Sequence, residues 1–503
     1  MLAALVTLLL ATVTSAEVTF RVTQPEASDS FVPAESGRLV VYVVDEGGAV
    51  WRQDPSDGPF WQEPEPIFGK TVDHWQPGTA VTITDAEAGE DSFLPNLKPG
   101  KYKAQAVLDR HHLDSNWSRE PGNVFGPVVD FEVKEGGDVT VELTLNEEIG
   151  RIPFAQDRWS RGNGEVIEVE SKLMPGVTMR AFVLVPTNME EGRQYPAIYG
   201  VPGFGGTHVQ GVGMARQQDL RENAFIIGLN PESKNGHTLF NDSAVNGPRG
   251  KMLVEELIPA LEEKFPLIAE ASARIVTGHS SGGWSSLWLA TEYPETFGAC
   301  WSSGPDPVDF RRFELVDIYE SPSFFVDADG RDYPSCRYDL DDDGTYDATL
   351  TVRQETSGEN VLGPGNTSGQ QFDSWMACWG GDDDGDGFPN DLFDPITGEL
   401  DHDEADHYKQ YDIRLRLAEN PDHFVPIFAK NVHLVCGDTD NYYLNEAVAL
   451  LQEELAKHEL PEGTGYIKMV EGADHGGSLF RHETMRAWPG EMLQHLKDAG
   501  HAE

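Results

Sequence analysis

The chain has 503 residues, 39% of them apolar, enough for about two or three domains with sizeable cores, which excludes wholesale disorder. Its 85 acidic against 37 basic residues give a formal charge of −48, which excludes nucleic acid as a partner because phosphates would be repelled. A surface this acidic stays hydrated and suits a salt-tolerant or extracellular protein.

The chain opens on MLAALVTLLLATVTSA, an apolar run closed by small residues at Thr14 and Ala16. That pattern predicts a secretory signal over 1–16 and a secreted product. The run is about 12 residues long against the ~20 that cross a bilayer. No other window is long and apolar enough, so no membrane partner is expected.

Residues 17–150 carry short alternating runs ("VTFRV", "RLVVYVV", "AVTI", "KYKAQAV", "VVDFEV", "DVTVELTL") separated by turns such as Glu46-Gly47-Gly48 and Pro99-Gly100. They predict an all-β, immunoglobulin-like sandwich. Trp51, Trp61 and Trp75 fall in its loops and are read as packing residues in preference to sugar-stacking ones. "NWS" at Asn116 is an acceptor sequon in a glycosylating host.

From residue 151 strands ("VIEVES", "MRAFVLV", "YPAIYGV", "AFIIGLN", "RIVTGHS") alternate with helical segments, which predicts an α/β domain over 151–503 with a parallel sheet. A helix near 250–265 puts Val254, Leu257, Ile258, Leu261 and Phe265 on one stripe, and Pro259 should bend it. Between 305 and 428 the rhythm is lost in a segment rich in Asp, Gly, Pro and aromatics, read as an insertion with little core of its own. "VHLVCGD" and "YIKMVEG" then resume the strands, with the amphipathic "LNEAVALLQEELAKH" between them.

"RIVTGHSSGGWSSLWLATEY" joins a strand to a helix through Gly278-x-Ser280-x-Gly282. A nucleophile on so tight a turn needs small neighbours two residues away. A serine hydroxyl is nearly inert until a histidine accepts its proton and a carboxylate orients that histidine. The chain supplies both after later strands: Asp440 in "CGDTD" and His475 in "ADHGG". Asp438 is read as a loop cap. Oxyanion donors are expected from the amide of Ser281 and from the Gly-rich "GVPGFGG", where Phe204 is the choice. His208, His237 and Asp242 are read as local hydrogen-bonding residues.

Together "YPAIYGVPGFGG", "NGPRGKMLVEELIPALEEKF", "RIVTGHSSGGWSSLWLATEYPETFGACWSSGPDPVDF", "CGDTD" and "DHGG" resemble the esterase D-type esterases of the α/β-hydrolase superfamily, which include feruloyl and enterochelin esterases. The likeness covers roughly 165–310 and 425–497. It implies a serine carboxylic-ester hydrolase with the triad Ser280, Asp440 and His475, needing no cofactor for catalysis and acting on an ester substrate, with feruloyl or acetyl esters of polysaccharide as the class expected. The sequence departs from the family in having "GVPGFGG" where many members have a His-Gly pair, and in its long insert. A serine peptidase of the same fold and a non-catalytic carbohydrate-binding protein are the competing readings.

The insert holds two acidic runs. Asp339, Asp341, Asp343 and Asp347 form the first, and Asp382, Asp384, Asp386 and Asn390 the second, with Gly344 and Gly387 at the turns. Oxygen ligands at alternate positions ahead of a glycine suit a hard cation, so both are read as structural Ca2+ loops. The EF-hand glutamate is replaced by Leu350 and Phe393. Of the four cysteines, Cys300 and Cys436 read as buried thiols in strands, and Cys336 and Cys378 as a possible disulfide.

Overall fold

The computed structural model describes residues 17–28, 31–85, 92–150, 164–215, 217–341 and 343–502. The signal-segment reading at 1–16 and the junction at 151–163 lie outside the described residues. The chain divides into two compact units, Met1–His111 with Pro121–Gly150, and His112–Glu120 with Arg151–Glu503.

In the first unit, Val18–Thr23 runs antiparallel to Ala80–Thr84 and parallel to Val139–Thr144. A second sheet is built on Gly37–Asp45, antiparallel to both Ile67–Val72 and Gly100–Asp109. Alternate residues turn inward, so Val18, Phe20, Val22, Leu39, Val41, Val43 and Phe68 form one apolar core. Trp75 is buried in it and donates its indole N–H to Thr79 O. Trp51 lies under the Lys103 amine and Trp61 meets Phe93 edge-on.

The second unit is built on eight strands: β1 (Gly164–Glu170), β2 (Thr178–Leu184), β3 (Ala197–Val201), β4 (Phe225–Leu229), β5 (Arg274–His279), β6 (Ala299–Ser303), β7 (Val432–Gly437) and β8 (Tyr466–Val470). Their order is β1-β2-β4-β3-β5-β6-β7-β8. The pairs β1–β2 and β2–β4 are antiparallel and the rest parallel. Helices cover both faces, so the central strands are apolar throughout instead of alternating. Ile198, Ile226, Ile275 and Trp301 pack on one side with Trp488, while Tyr199, Ile227 and Val276 face the other.

The helix around Pro259 is irregular. A π-helical turn at Leu253–Leu257 runs directly into Ile258–Lys264 with Leu257 and Ile258 both helical, so Pro259 is accommodated inside a continuous helix by the wider turn before it. Leu257, Ile258 and Leu261 of the expected stripe are buried.

The insert is also more ordered than its composition suggests. It contains a hairpin (Pro334–Tyr338 with Asp347–Thr351) and helices at Val352–Leu362, Gln371–Trp379, His402–Tyr408, Ile413–Glu419 and Pro421–Asn431. The expectation of little core is wrong. Phe310, Phe313, Phe324, Phe372, Trp375, Trp379 and Tyr408 are buried in one cluster that continues into the main core through Trp284. Cys336 and Cys378 are free buried thiols, not a disulfide, as are Cys300 and Cys436. The Cys378 thiol is held instead as a donor to His237 O. Among the described residues no helix is long and apolar enough to cross a membrane.

Candidate active site

β5 ends at His279 and α1 (Ser281–Glu292) begins two residues later. Between them Ser280 adopts φ 59°, ψ −125°, a conformation a non-glycine residue keeps only under constraint. The flanking glycines are a steric requirement. A Cβ on Gly278 would lie 2.1 Å from Gly282 O, and one on Gly282 would lie 2.2 Å from Val201 O. The turn can therefore close only with these residues, and it lifts Ser280 above the sheet.

The Gly-rich loop after β3 comes up against this turn. A Cβ on Gly203 would sit 3.3 Å from Ser280 Cβ. Ser281 is the first residue of α1, so its N–H has no acceptor within the helix. Buried His237 braces the loop: Nδ1 accepts from Leu239 N at 3.0 Å, so Nε2 carries the proton and donates to Pro202 O at 3.0 Å. Burial lowers its pKa to about 4, which keeps that tautomer neutral. His208 contacts Asn230, while Asp242 pairs with Lys251 and its carbonyl accepts from the Tyr411 hydroxyl at 2.9 Å.

Asp440 and His475 stand at the ends of β7 and β8. His475 Nδ1 donates to Asp440 Oδ2 at 2.6 Å, and Asp440 Oδ1 accepts from Tyr442 N at 2.9 Å. Asp440 is fully buried and His475 8% exposed. Burial alone would lower the His475 pKa, but the Asp440 carboxylate overrides it and holds the imidazole above its ordinary value. Asp438 caps its loop, accepting from Gly472 N at 2.7 Å.

The imidazole also lies 4.4 Å, ring to ring, from His279, the residue before the serine. No hydrogen bond joins Ser280 Oγ to His475 among the described residues. Such bonds are commonly long in an unliganded site and tighten around substrate.

Three neighbours were not foreseen. Gly304 has φ +43°, and a Cβ there would press on the His475 ring at 3.1 Å. Asn441 Oδ1 accepts the His475 N–H at 3.0 Å. Asp306 is buried and accepts from the Trp375 indole at 2.6 Å, with burial pushing its pKa up to about 6. A glycine at the end of "WSSG" is the only signal the sequence offered. A cleft of about 710 Å³ opens beside Gly203 and His279, walled by Phe204, Phe480, Trp488 and Met492.

The two acidic runs differ. In the second, Asp382, Asp384 and Asp386 converge, with a carboxylate oxygen of each within 4.8 Å of the others, while Asn390 accepts from Asp383 N. In the first, Asp339 accepts from Asp343 N and Gly344 N, Asp343 caps Thr345 N, Asp341 is exposed, and Asp347 starts a strand.

Residues 171–475 match the model of the Esterase family, described as "Putative esterase". No curated protein matches. Similar solved structures include a ferulic acid esterase (11% identity, TM-score 0.38, covering 66% of this chain and 96% of that one). An S-formylglutathione hydrolase from Agrobacterium tumefaciens is similar at 14% identity and TM-score 0.39, covering 66% and 95%. Est1E from Butyrivibrio proteoclasticus follows at 15% identity and TM-score 0.35, covering 66% and 99%. At such scores the structural likenesses decide nothing about this chain. The family match spans well over half of it and takes in both the serine turn and the histidine that faces its strand, and on that ground the chain belongs to the Esterase family.

Proposed function

We propose that this protein is a secreted serine carboxylic-ester hydrolase that works through an acyl-enzyme on Ser280. The observation that carries the reading is a buried Asp440–His475 pair, joined at 2.6 Å, next to a serine held at φ 59° by two glycines that nothing larger can replace. Nδ1 is committed to Asp440, which leaves Nε2 to accept the Ser280 proton as Oγ bonds to the ester carbonyl carbon. The amides of Ser281 and Phe204 receive the oxyanion. His475 returns the proton to the departing alcohol, then takes one from the water that cleaves the acyl-enzyme.

The cleft lined by Phe204, His279 and Phe480 adjoins the serine turn, and an apolar or aromatic acyl group such as feruloyl is the substrate we propose for it. We read the first unit as an immunoglobulin-like sandwich, and the convergent Asp382, Asp384 and Asp386 as a structural Ca2+ site.

The test is hydrolysis of graded esters, from acetyl to feruloyl, by the wild type and by Ser280→Ala. The variant should fold and lose activity by at least about 10³-fold. Full activity in it overturns the proposal. A chelator should lower the melting temperature, and an unchanged melt removes the calcium site.

A further inference from the structure

The insert reaches the loop that carries the proposed catalytic acid. Strand Pro334–Tyr338 pairs with its hairpin partner on one edge and lies along loop 438–443 on the other. Arg337 N donates to Asn441 O at 2.8 Å, and Asn441 Nδ2 donates back to Arg337 O at 2.7 Å. The same Asn441 side chain accepts the N–H of His475, so one residue links the insert strand to the backbone of the base.

The Arg337 guanidinium fixes the other side. Nε donates to Asp440 O at 3.0 Å and Nη2 to Asn445 Oδ1 at 3.3 Å, while the plane lies 4.5 Å over the Tyr443 ring. Tyr443 has φ 58°, a turn that its own residue type does not favour and that needs holding from outside. The next residue of the strand, Tyr338, bonds its hydroxyl to that of Tyr442, whose ring meets His475 edge-on at 5.0 Å.

We infer that Arg337 is a positioning residue for the Asp440–His475 pair, which makes the insert part of the acid–base apparatus. The inference rests on the triad reading above. A guanidinium is a planar, rigid fork that serves two carbonyl-type acceptors while stacking on a ring, and an ammonium cannot do both. An error of about 1 Å in the carboxylate would cost about 10²-fold in rate.

The experiment compares full-length wild type, Arg337→Ala, Arg337→Lys and Ser280→Ala on p-nitrophenyl acetate. Arg337→Ala should lower kcat by about 10- to 100-fold with little change in KM. Its acidic limb of kcat/KM should move to lower pH, because an imidazole facing Asp440, Asp306, Asp474 and His279 loses its strongest anionic support when Asp440 shifts. Arg337→Lys should fall between, and millimolar guanidinium should restore part of the Arg337→Ala activity.

If Arg337→Ala does not fold, the pH limb of Arg337→Lys decides alone. An unmoved limb and wild-type kcat in the Arg337 variants, with Ser280→Ala inactive, overturn the positioning role and leave the esterase reading standing. An active Ser280→Ala removes both.

Discussion

At Gly304 the space for one methyl group decides whether a histidine can stay where it is. Its Cβ would lie 3.1 Å from Cε1 and Nδ1 of His475 and 3.5 Å from Asp440 Oδ2, at a φ that side chains disfavour. Gly304→Ala should therefore push the imidazole off its carboxylate and lower kcat by about tenfold or more. A thermal melt beside the kinetics separates this from unfolding. The same pair sets a pH dependence. The proposed mechanism needs a neutral imidazole, and Asp440 holds the His475 pKa above its ordinary value. Acidification should therefore abolish kcat/KM with a midpoint above about 6.5. Asp440→Asn removes the anion and should move that midpoint down while lowering the plateau. A midpoint that stays put in Asp440→Asn contradicts the pairing as the cause.

The insert shows at the level of elements what a sequence hides. Strands β5, β7 and β8 were legible because each is a short, largely apolar run ending in a turn. With them came the serine, the acid and the histidine in chain order. The glycines beside Ser280 were legible because a turn this tight admits nothing larger two residues from its serine. The aromatic core of the insert was not, because although Phe372, Trp375 and Trp379 share one helix face at i, i+3 and i+7, their partners Phe310, Phe313 and Phe324 come from irregular segments well upstream. They meet only after distant segments fold together, with Phe313 at 5.1 Å from Trp375 and 5.5 Å from Trp379. Arg337 and Asn441 were invisible for the same reason, since each acts through a contact some hundred residues away. Trp379 also reaches Trp284 of α1 at 5.4 Å, directly beneath the serine turn. Trp379→Ala should destabilise the unit by about 3–5 kcal/mol in urea unfolding. Activity should drop while the protein is still folded, because the floor under α1 is removed. A loss below about 1 kcal/mol would mean the insert core is independent of the sheet.

Across the whole molecule, burial and charge combine to set where the protein is most stable. Burial raises Glu65, Glu232 and Glu355 to about 7, and Glu314 and Glu359 well above the ordinary carboxylate range. Unfolded, these groups titrate near about 4.3. Between those values the folded chain holds protons that the unfolded chain has lost, so their contribution makes stability fall as pH rises. The buried histidines oppose this over part of the range. His237 and His433, lowered to about 4 by burial, stay neutral when folded but charge when unfolded, so stability rises with pH up to about 6.5. Above that value these histidines no longer differ between the two states, and the carboxylates act unopposed. The formal charge of −48 adds self-repulsion in the same direction. Five raised carboxylates outweigh these two histidines, so the melting temperature should already fall between about pH 5 and 6 and decline further toward pH 8. Salt should recover part of the decline by screening surface repulsion, but not the part due to buried groups. Glu355→Gln keeps an oxygen for the Ser335 hydroxyl and removes one of the buried acids, so it should flatten the decline between pH 6 and 8. A melting temperature that climbs steadily from pH 6 to 8, or a Glu355→Gln slope equal to the wild type's, would show that these carboxylates are not the proton-linked groups.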